Sequence, residues 1–216
     1  MNATINDIIK VDADTFYTNF KRHKDEGNII NTEQVLLREL DYYKENCNLF
    51  FMTKDFSAGA ALEKDGRIIS VFNAGNYRKV GSVLLDCAIK SGGNKLECND
   101  VAQLRYIYGK RGFVPVAKAP LDTNDIYYEI LKMKENEEDH GTTLLFWIYD
   151  ENEYQKIKKN MQEYTILFCN IKKFDTEEEA EEFRDLILEE VKDGNLSDDF
   201  KQYVSNIIQI KKEVKI

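Results

Sequence analysis

The sequence predicts an α+β fold of three layers, in which a mixed and mostly antiparallel sheet is flanked by helices. Its 216 residues include 43% hydrophobic side chains, enough to bury a sizeable core without disulfides. Residues 48–74 carry runs of β-branched and aromatic residues that are typical of strands, and residues 80–118 alternate between helical and strand-like patterns. The strands and helices therefore follow one another as three strands, a loop, a helix, a strand, a helix and a strand.

The first 45 residues predict a short apolar segment and two helices. The apolar segment covers Ile8 to Val11. A helix is expected from Asp14 to His23, with Asp14 as its N-cap and with Phe16 and Phe20 on its inner face. A second helix is expected from Thr32 to Lys44, where apolar residues recur at three- and four-residue spacing.

The central part of the chain predicts three strands and a helix. The strands are expected at 48–53, 57–62 and 67–74, and the Lys-Asp-Gly turn at 64–66 joins the last two as a hairpin. The helix over 80–88 has an apolar stripe at helical spacing and ends at the Ser-Gly-Gly sequence that follows.

Residues 95–118 predict a strand at 95–98, a helix at 101–111 and a strand at 113–118. The strand at 95–98 is joined to the strand at 67–74 through a helix. Because strands joined in this way run in the same direction, we expect these two to be parallel neighbours.

Beyond Pro120 the pattern predicts two further strands and several helices. Residues 125–134 fit either a strand or a helix, and residues 142–149 fit a buried strand. We expect an extension of one helix, one strand and two helices after residue 150, over 153–161, 164–170, 176–191 and 198–209. The domain organisation predicted is a main domain at 1–150 and an extension at 151–216 that packs on the same body.

The charge is unevenly distributed and excludes some classes of partner. Residues 1–120 carry 15 acidic and 17 basic side chains, whereas residues 121–216 carry 24 acidic and 13 basic ones. The second part would repel a nucleic-acid backbone, and the first could accept an anionic small molecule. No run approaches the ~20 apolar residues of a membrane helix, and no secretory signal opens the chain. We therefore expect a cytoplasmic protein that binds neither nucleic acid nor a membrane.

Cysteine and histidine offer no predicted metal site. The four cysteines are scattered, without a pair at metal-binding spacing, and are expected to be reduced and buried (Cys47, Cys87, Cys98 and Cys169). The two histidines, His23 and His140, lie in polar surroundings that are typical of surface positions.

The segment 73–88 has the clearest chemical signal, because a strand enters a glycine-bearing loop that enters a helix directly. The first amides of such a helix have no partners inside the helix, and the helix dipole adds positive potential, so an anion is favoured there. Arg78 and Lys79 add charge. Gly75 and Gly81 let the backbone turn and approach a ligand closely.

Two motifs in this region resemble those of the GCN5-related N-acetyltransferase family, over residues 45–120. The first is a glutamine or arginine, two residues, glycine, one residue and then glycine or alanine, at the start of a helix; Arg78 and Gly81 match it. The second is leucine, tyrosine, any residue, lysine, any residue, glycine and phenylalanine, of which the last positions are matched here (Tyr108, Lys110, Gly112 and Phe113). Similar arrangements occur in acetyltransferase-like domains of bacteriophages and mobile elements.

The resemblance implies transfer of an acetyl group from acetyl-coenzyme A to an amine on a small molecule or a protein. It implies that the pyrophosphate is held by the first residues of the helix (Arg78, Lys79, Val80, Gly81, Ser82 and Val83). A backbone N–H between Phe72 and Ala74 would meet the thioester carbonyl, and Tyr108 would protonate the departing thiolate. Glu97 and Asp100, and also Glu63, are the carboxylates expected to act as the base.

An alternative function remains open at this point. Val83 stands where the family usually has glycine or alanine, and no carboxylate is marked clearly as the base. These two departures favour a catalytically inactive protein of the same fold that binds a host protein, another partner protein or a second copy of the chain. The residues beyond 150 would then provide the interface.

Overall fold

The computed structural model describes residues 2–29, 35–75, 77–125, 127–136, 139–152, 155, 164–194 and 196–210. The chain divides into two compact units, residues 1–96 and residues 97–216, and each has its own sheet. Both sheets are mostly antiparallel and are accompanied by helices, which confirms the α+β class.

In the first unit, four antiparallel strands form a sheet in chain order. They are β1 (Ile8–Val11), β2 (Cys47–Thr53), β3 (Ala58–Glu63) and β4 (Ile68–Asn73). The helices of this unit are α1 (Ala13–Asp25), α2 (Leu40–Asn46) and α3 (Val80–Lys90).

Aromatic side chains dominate the core of the first unit. Phe16 and Phe20 of α1, Tyr43 of α2, Phe50 of β2 and Phe72 of β4 are all buried. The rings of Phe20 and Phe72 stack with their centroids 4.5 Å apart, and the remaining rings meet mostly edge to face. Since aromatic pairs of this kind bury large apolar areas, this cluster joins α1 and α2 to the sheet.

Two predicted helix boundaries in this unit need correction. Helix α1 begins at Ala13, and its N-cap is Asp12, whose Oδ1 accepts a hydrogen bond of 2.7 Å from the Thr15 amide; Asp14 lies inside the first turn. The predicted helix over 32–44 is too long at its start, because 35–39 are not helical and α2 begins only at Leu40. Residues 30–34, which include the predicted cap Thr32, lie outside the described residues.

The parallel pairing predicted between the strands at 67–74 and 95–98 is present at one bridge. Arg67 pairs with Lys95 in parallel, and the amide of Asn94 donates to the carbonyl of Gly66 at 2.9 Å. Beyond that bridge, β4 and β5 (Lys95–Asp100) belong to different sheets.

In the second unit the strand order is β5, β7 (His140–Tyr149), β6 (Phe113–Pro120) and β9 (Lys172–Lys173). Strands β6 and β7 are antiparallel, and β9 is parallel to β6. The short strands β8 (Tyr164–Ile166) and β10 (Ile208–Ile210) form a separate antiparallel pair.

Four described helices accompany this second sheet. They are α4 (Ala102–Gly109), α5 (Tyr128–Lys134), α6 (Glu177–Lys192) and α7 (Asp198–Ile207). Thr176 caps α6 by accepting the Glu179 amide at 3.2 Å, as the Thr-x-x-Glu spacing predicts. Helix α6 packs its Ala180 with Phe146 of β7, and Trp147, the next residue of β7, meets Tyr108 of α4. Because successive strand residues point to opposite faces, α6 and α4 lie on opposite faces of this sheet.

The structure resolves some predictions made for the second part of the chain and corrects others. Residues 125–134, which fitted either a strand or a helix, contain α5. The predicted strand over 164–170 is shorter, because Tyr164–Ile166 is followed by a 3-10 turn at Phe168–Asn170.

The cysteines differ in exposure. Cys169, in that turn, is exposed, whereas the other three are buried as free thiols (Cys47, Cys87 and Cys98). Most of the predicted helix over 153–161 lies outside the described residues.

Among the described helices, none combines the length and the apolar character needed to cross a membrane.

Candidate functional site

At the start of α3, two backbone amides have no backbone acceptor among the described residues. The amides of Ser82 and Val83 both donate to the carbonyl of Lys79, at 3.1 and 3.3 Å. The amides of Val80 and Gly81 make no such bond, so they are the donors that remain at this end of the helix dipole. The six residues predicted to hold a pyrophosphate therefore include main-chain donors without a backbone acceptor, those of Val80 and Gly81 among them.

Gly81 borders open space, whereas Val80 is buried. An added methyl group at Gly81 would have no atom within 4 Å. The first turn of α3 contains no acidic residue, and the side chains of Arg78 and Lys79 are exposed. Space, two amide donors and two cations together suit an anion.

Val83 is half-buried on α3 and does not close the space at Gly81. The side chains that α3 buries are instead those that pack toward the sheet (Val80, Leu84, Leu85, Cys87 and Ala88). No side-chain atom of Val83 lies within 4 Å of a methyl group added at Gly81.

The loop that leads from β4 into α3 is shaped by local hydrogen bonds. The Oδ1 atom of Asn73 accepts from the Gly75 amide at 2.9 Å, and Gly75 has a positive φ of 95°. Lys79, the N-cap residue of α3, is also left-handed, with a φ of 62° and no side-chain cap. The loop therefore reverses direction before the helix starts, as the glycine in the sequence predicts.

Strand β4 is an edge strand of its sheet, and only some of its amides are available to a ligand. The Ala74 amide donates to the Ser57 carbonyl at 2.8 Å, and Phe72 lies opposite Gly59 in the register. Because amides alternate in direction along a strand, Phe72 and Ala74 both point toward β3, and the Asn73 amide points to the opposite side. Within the predicted range from Phe72 to Ala74, Asn73 is thus the residue placed to donate to a ligand.

A β-bulge lies in the middle of β4. Between the pairs Gly59–Phe72 and Ala61–Ile69, β4 has one residue more than β3. Ser70 in this bulge has a positive φ of 52°, and its hydroxyl is 2.7 Å from the Tyr43 hydroxyl and donates to the Leu36 carbonyl at 3.2 Å. A bulge of this kind bends the strand and interrupts its ladder with β3.

In the second unit, Tyr108 of α4 is a buried residue, with 8% of its surface exposed. Its ring meets Phe113 at 6.1 Å and Trp147 at 5.8 Å, both edge to face. Burial, and secondarily the Cys98 thiol, raise the pKa of Tyr108 above its ordinary value. The phenol therefore stays protonated at neutral pH, the state that a proton donor needs.

Glu97, the first predicted base, is bound to an arginine. Its carboxylate accepts from Nη1 of Arg184, a residue of α6 that is completely buried. Arg184 also donates to Glu181 at 2.9 Å and to Asp185 at 2.8 Å. The Glu97 carboxylate is therefore engaged in an ion pair with Arg184.

Asp100, the second predicted base, is also in an ion pair. Nε of Arg105 donates to Oδ1 of Asp100 at 2.5 Å, and the carboxylate is buried. The guanidinium of Arg105 in turn lies 4.6 Å from the centre of the Phe168 ring.

Glu63, the third carboxylate considered, lies buried at the end of β3, where the Tyr42 hydroxyl donates to its Oε1 at 2.5 Å. Burial, then the hydrogen bond to Glu63, raise the pKa of Tyr42 to about 12. None of the three carboxylates is left without a hydrogen-bonding partner.

Sequence reasoning missed three features of these regions. The sequence analysis did not assign Arg184 to a face of α6. Its helical spacing from Ala180, Ile187 and Leu188, which are buried, is the signal that could have placed Arg184 on the buried face. The direction of the Asn73 amide depends on the register of β3 and β4, and the sequence does not specify it. Trp147 is completely buried, and the neighbour that its indole N–H meets, Cys98, comes from β5, which no local pattern indicates.

Comparison of the sequence with protein-family models gives no match, and comparison with curated proteins gives none either. The functional interpretation therefore depends on the residues and the geometry described above.

Proposed function

We propose that the protein is an N-acetyltransferase-like enzyme that transfers an acetyl group from acetyl-coenzyme A to an amine. The observation that carries the proposal is the start of α3, where the Val80 and Gly81 amides have no backbone acceptor among the described residues, Gly81 borders open space, and Arg78 and Lys79 are exposed. The order of the strands and helices in residues 47–120 agrees with the family resemblance.

The residues of the first unit would bind and orient the coenzyme. The Val80 and Gly81 amides would donate hydrogen bonds to the pyrophosphate, and Arg78 and Lys79 would neutralise part of its charge. The Asn73 amide would donate to the carbonyl oxygen of the acetyl group, on which negative charge develops. Acetyl-coenzyme A itself supplies the acetyl group as an activated thioester.

In the second unit, Tyr108 would donate its proton to the departing sulfur. Its raised pKa keeps the phenol protonated at neutral pH, so the hydroxyl is present as a donor to the sulfur. The acceptor would be a cationic amine, because residues 121–216 carry 24 acidic and only 13 basic side chains and attract positive charge.

Titration calorimetry with acetyl-coenzyme A tests the proposal. We expect saturable binding to the full chain and loss of that binding in Gly81→Glu, which places a negative side chain beside the two amides. Circular dichroism of Gly81→Glu provides the control for folding. Absence of binding at about millimolar coenzyme, an affinity weaker than roughly −4 kcal/mol, would exclude the enzyme.

A second function is favoured by one observation, the pairing of the predicted bases. Glu97 and Asp100 are both bound to arginines, so neither is free to take a proton from an ammonium group. An inactive protein of this fold would bind a partner protein or a second copy of the chain instead. The same titration separates the two functions, since the inactive binder needs no coenzyme.

A further inference from the structure

The turn before α3 contains a backbone conformation that its residue type disfavours. Lys79, the N-cap of α3, is left-handed with a φ of 62°, and its side chain makes no capping hydrogen bond. In this region the Cβ atom of a residue other than glycine crowds the following carbonyl oxygen. Such a conformation persists where the surrounding structure holds it. The conformation of Lys79 therefore needs a contact that fixes it.

The N-terminal residues supply a contact on the residue before Lys79. Asn2 and Arg78 form a parallel β-bridge, and the Ala3 amide donates to the Arg78 carbonyl at 3.1 Å. That carbonyl belongs to the planar peptide group that joins Arg78 to Lys79, so the hydrogen bond fixes the orientation of this plane. Because the φ angle of Lys79 is measured from the same plane, the Ala3 amide helps to hold Lys79 in its left-handed conformation.

Residues 2–7, which we call the N-terminal strap, are themselves anchored to the first sheet. Ala3 is buried, and the amide and hydroxyl of Thr4 both donate to Oδ2 of Asp7, at 2.8 and 2.7 Å. The Asp7 carbonyl accepts from the Lys54 amide at 3.0 Å, which continues the ladder between β1 and β2. The strap therefore connects this sheet to the turn before α3.

Lys79 also determines how the first turn of α3 is arranged. Its carbonyl accepts the Ser82 and Val83 amides, whereas the Val80 and Gly81 amides have no backbone acceptor among the described residues. When the strap detaches, Lys79 can leave the left-handed region, and the first turn then moves with it. The strap thus keeps the amide donors in one arrangement, which lowers the cost of ordering them around an anion.

We propose that the N-terminal strap is a positioning element of the anion site at α3, with the Ala3 amide as its decisive donor. This inference rests on the proposed function, because it concerns the same pyrophosphate site. It also assigns a form of regulation to that site. Since coupling between two binding events is reciprocal, a bound pyrophosphate strengthens the docking of the strap, and a displaced strap weakens the binding of pyrophosphate.

Calorimetry on two variants of the full chain tests the proposal, with coenzyme A and inorganic pyrophosphate as ligands. Ala3→Pro removes the N–H that donates to Arg78, and we expect it to bind both ligands about 3- to 10-fold more weakly. Ile5→Ala changes a side chain of the same strap that is 52% exposed, and it should leave both affinities unchanged. Well below the unfolding temperature, a contact that only stabilises the fold would not change the affinity of the folded chain.

Hydrogen exchange of the unaltered chain provides a second measurement that needs no variant. Saturating ligand should slow the exchange of the Ala3 amide about 3- to 10-fold, because the ligand and the docked strap favour the same conformation of the turn. Nuclear magnetic resonance follows this amide with and without coenzyme A or pyrophosphate.

Each outcome bears on a different claim. Unchanged affinity in Ala3→Pro, or an exchange rate at Ala3 that bound ligand does not alter, would overturn the inference and leave the proposed function intact. Binding of pyrophosphate without binding of coenzyme A would overturn the proposed function and leave the inference standing. No binding of either ligand would overturn both. If Ala3→Pro does not fold, the exchange measurement on the unaltered chain decides the inference.

Discussion

At the scale of single residues, the structure separates side chains that are available for chemistry from those that hold the fold together. Tyr108 has a hydroxyl without a partner among the described residues, whereas Glu97 and Asp100 are both bound to arginines. The family resemblance identified all three as candidates. Ion pairing over a sequence separation of 87 residues, as between Glu97 and Arg184, is not visible in any local pattern.

Replacement of Tyr108 by phenylalanine tests its role as the acid. The variant keeps the edge-to-face contacts with Phe113 and Trp147, so we expect a stable fold and a turnover at least ~10-fold lower. Because the pKa of Tyr108 lies above the ordinary tyrosine value of 10.0, the turnover of the unaltered protein should show no loss from phenol deprotonation below pH 10. Steady-state kinetics across pH measures both effects, and an unchanged rate in Tyr108→Phe would remove this residue from the mechanism.

Replacement of Glu97 by glutamine tests whether this carboxylate is structural. The completely buried Arg184 would lose one of its three carboxylate partners, so the free energy of unfolding should fall by about 1–3 kcal/mol. Urea denaturation measures the change. Glu182→Gln, on the exposed face of α6, is the matched control and should stay within about 0.5 kcal/mol. A large loss of turnover in Glu97→Gln with unchanged stability would instead make Glu97 the base.

At the scale of strands and helices, the loop between β4 and α3 decides how the protein is interpreted. The sequence predicted β4, the glycine-bearing loop and α3 nearly at their observed bounds, since strand and helix patterns meet there abruptly. The sequence could not predict that Ser82 and Val83 already donate to Lys79, or that the bulge at Ser70 bends β4. Both depend on backbone angles that several residue types tolerate.

Replacement of Gly81 by alanine should separate stability from binding. No atom lies within 4 Å of the added methyl group, and alanine favours a helix over glycine, so the free energy of unfolding should rise by about 0.5–1 kcal/mol. The same methyl group would stand in front of the Val80 and Gly81 amides and weaken coenzyme binding. Thermal unfolding and calorimetry measure the two effects.

The control for Gly81→Ala is Asp86→Ala, which is exposed further along α3 and should leave coenzyme affinity unchanged. Coenzyme binding by Gly81→Ala that is as tight as that of the unaltered protein would show that no ligand approaches these amides.

At the scale of the whole molecule, the α+β class was predictable, because the spacing of apolar residues along the chain distinguishes the long helices from the long strands. The division of the chain after Leu96 was not predictable, since it falls within β5, where composition does not change. The helix boundaries that were predicted wrongly, such as the early start expected for α2, are places where tertiary contacts override the helical spacing of apolar residues. The uneven charge remains a property of the whole chain, and it favours a cationic acceptor.

A crystal structure of the full chain with coenzyme A is the most direct test of the anion site at α3. We expect the pyrophosphate oxygens to lie at hydrogen-bond distance, about 2.7–3.2 Å, from the amide nitrogens of Val80 and Gly81. A coenzyme bound elsewhere on the chain, with these two amides facing solvent, would contradict the proposal.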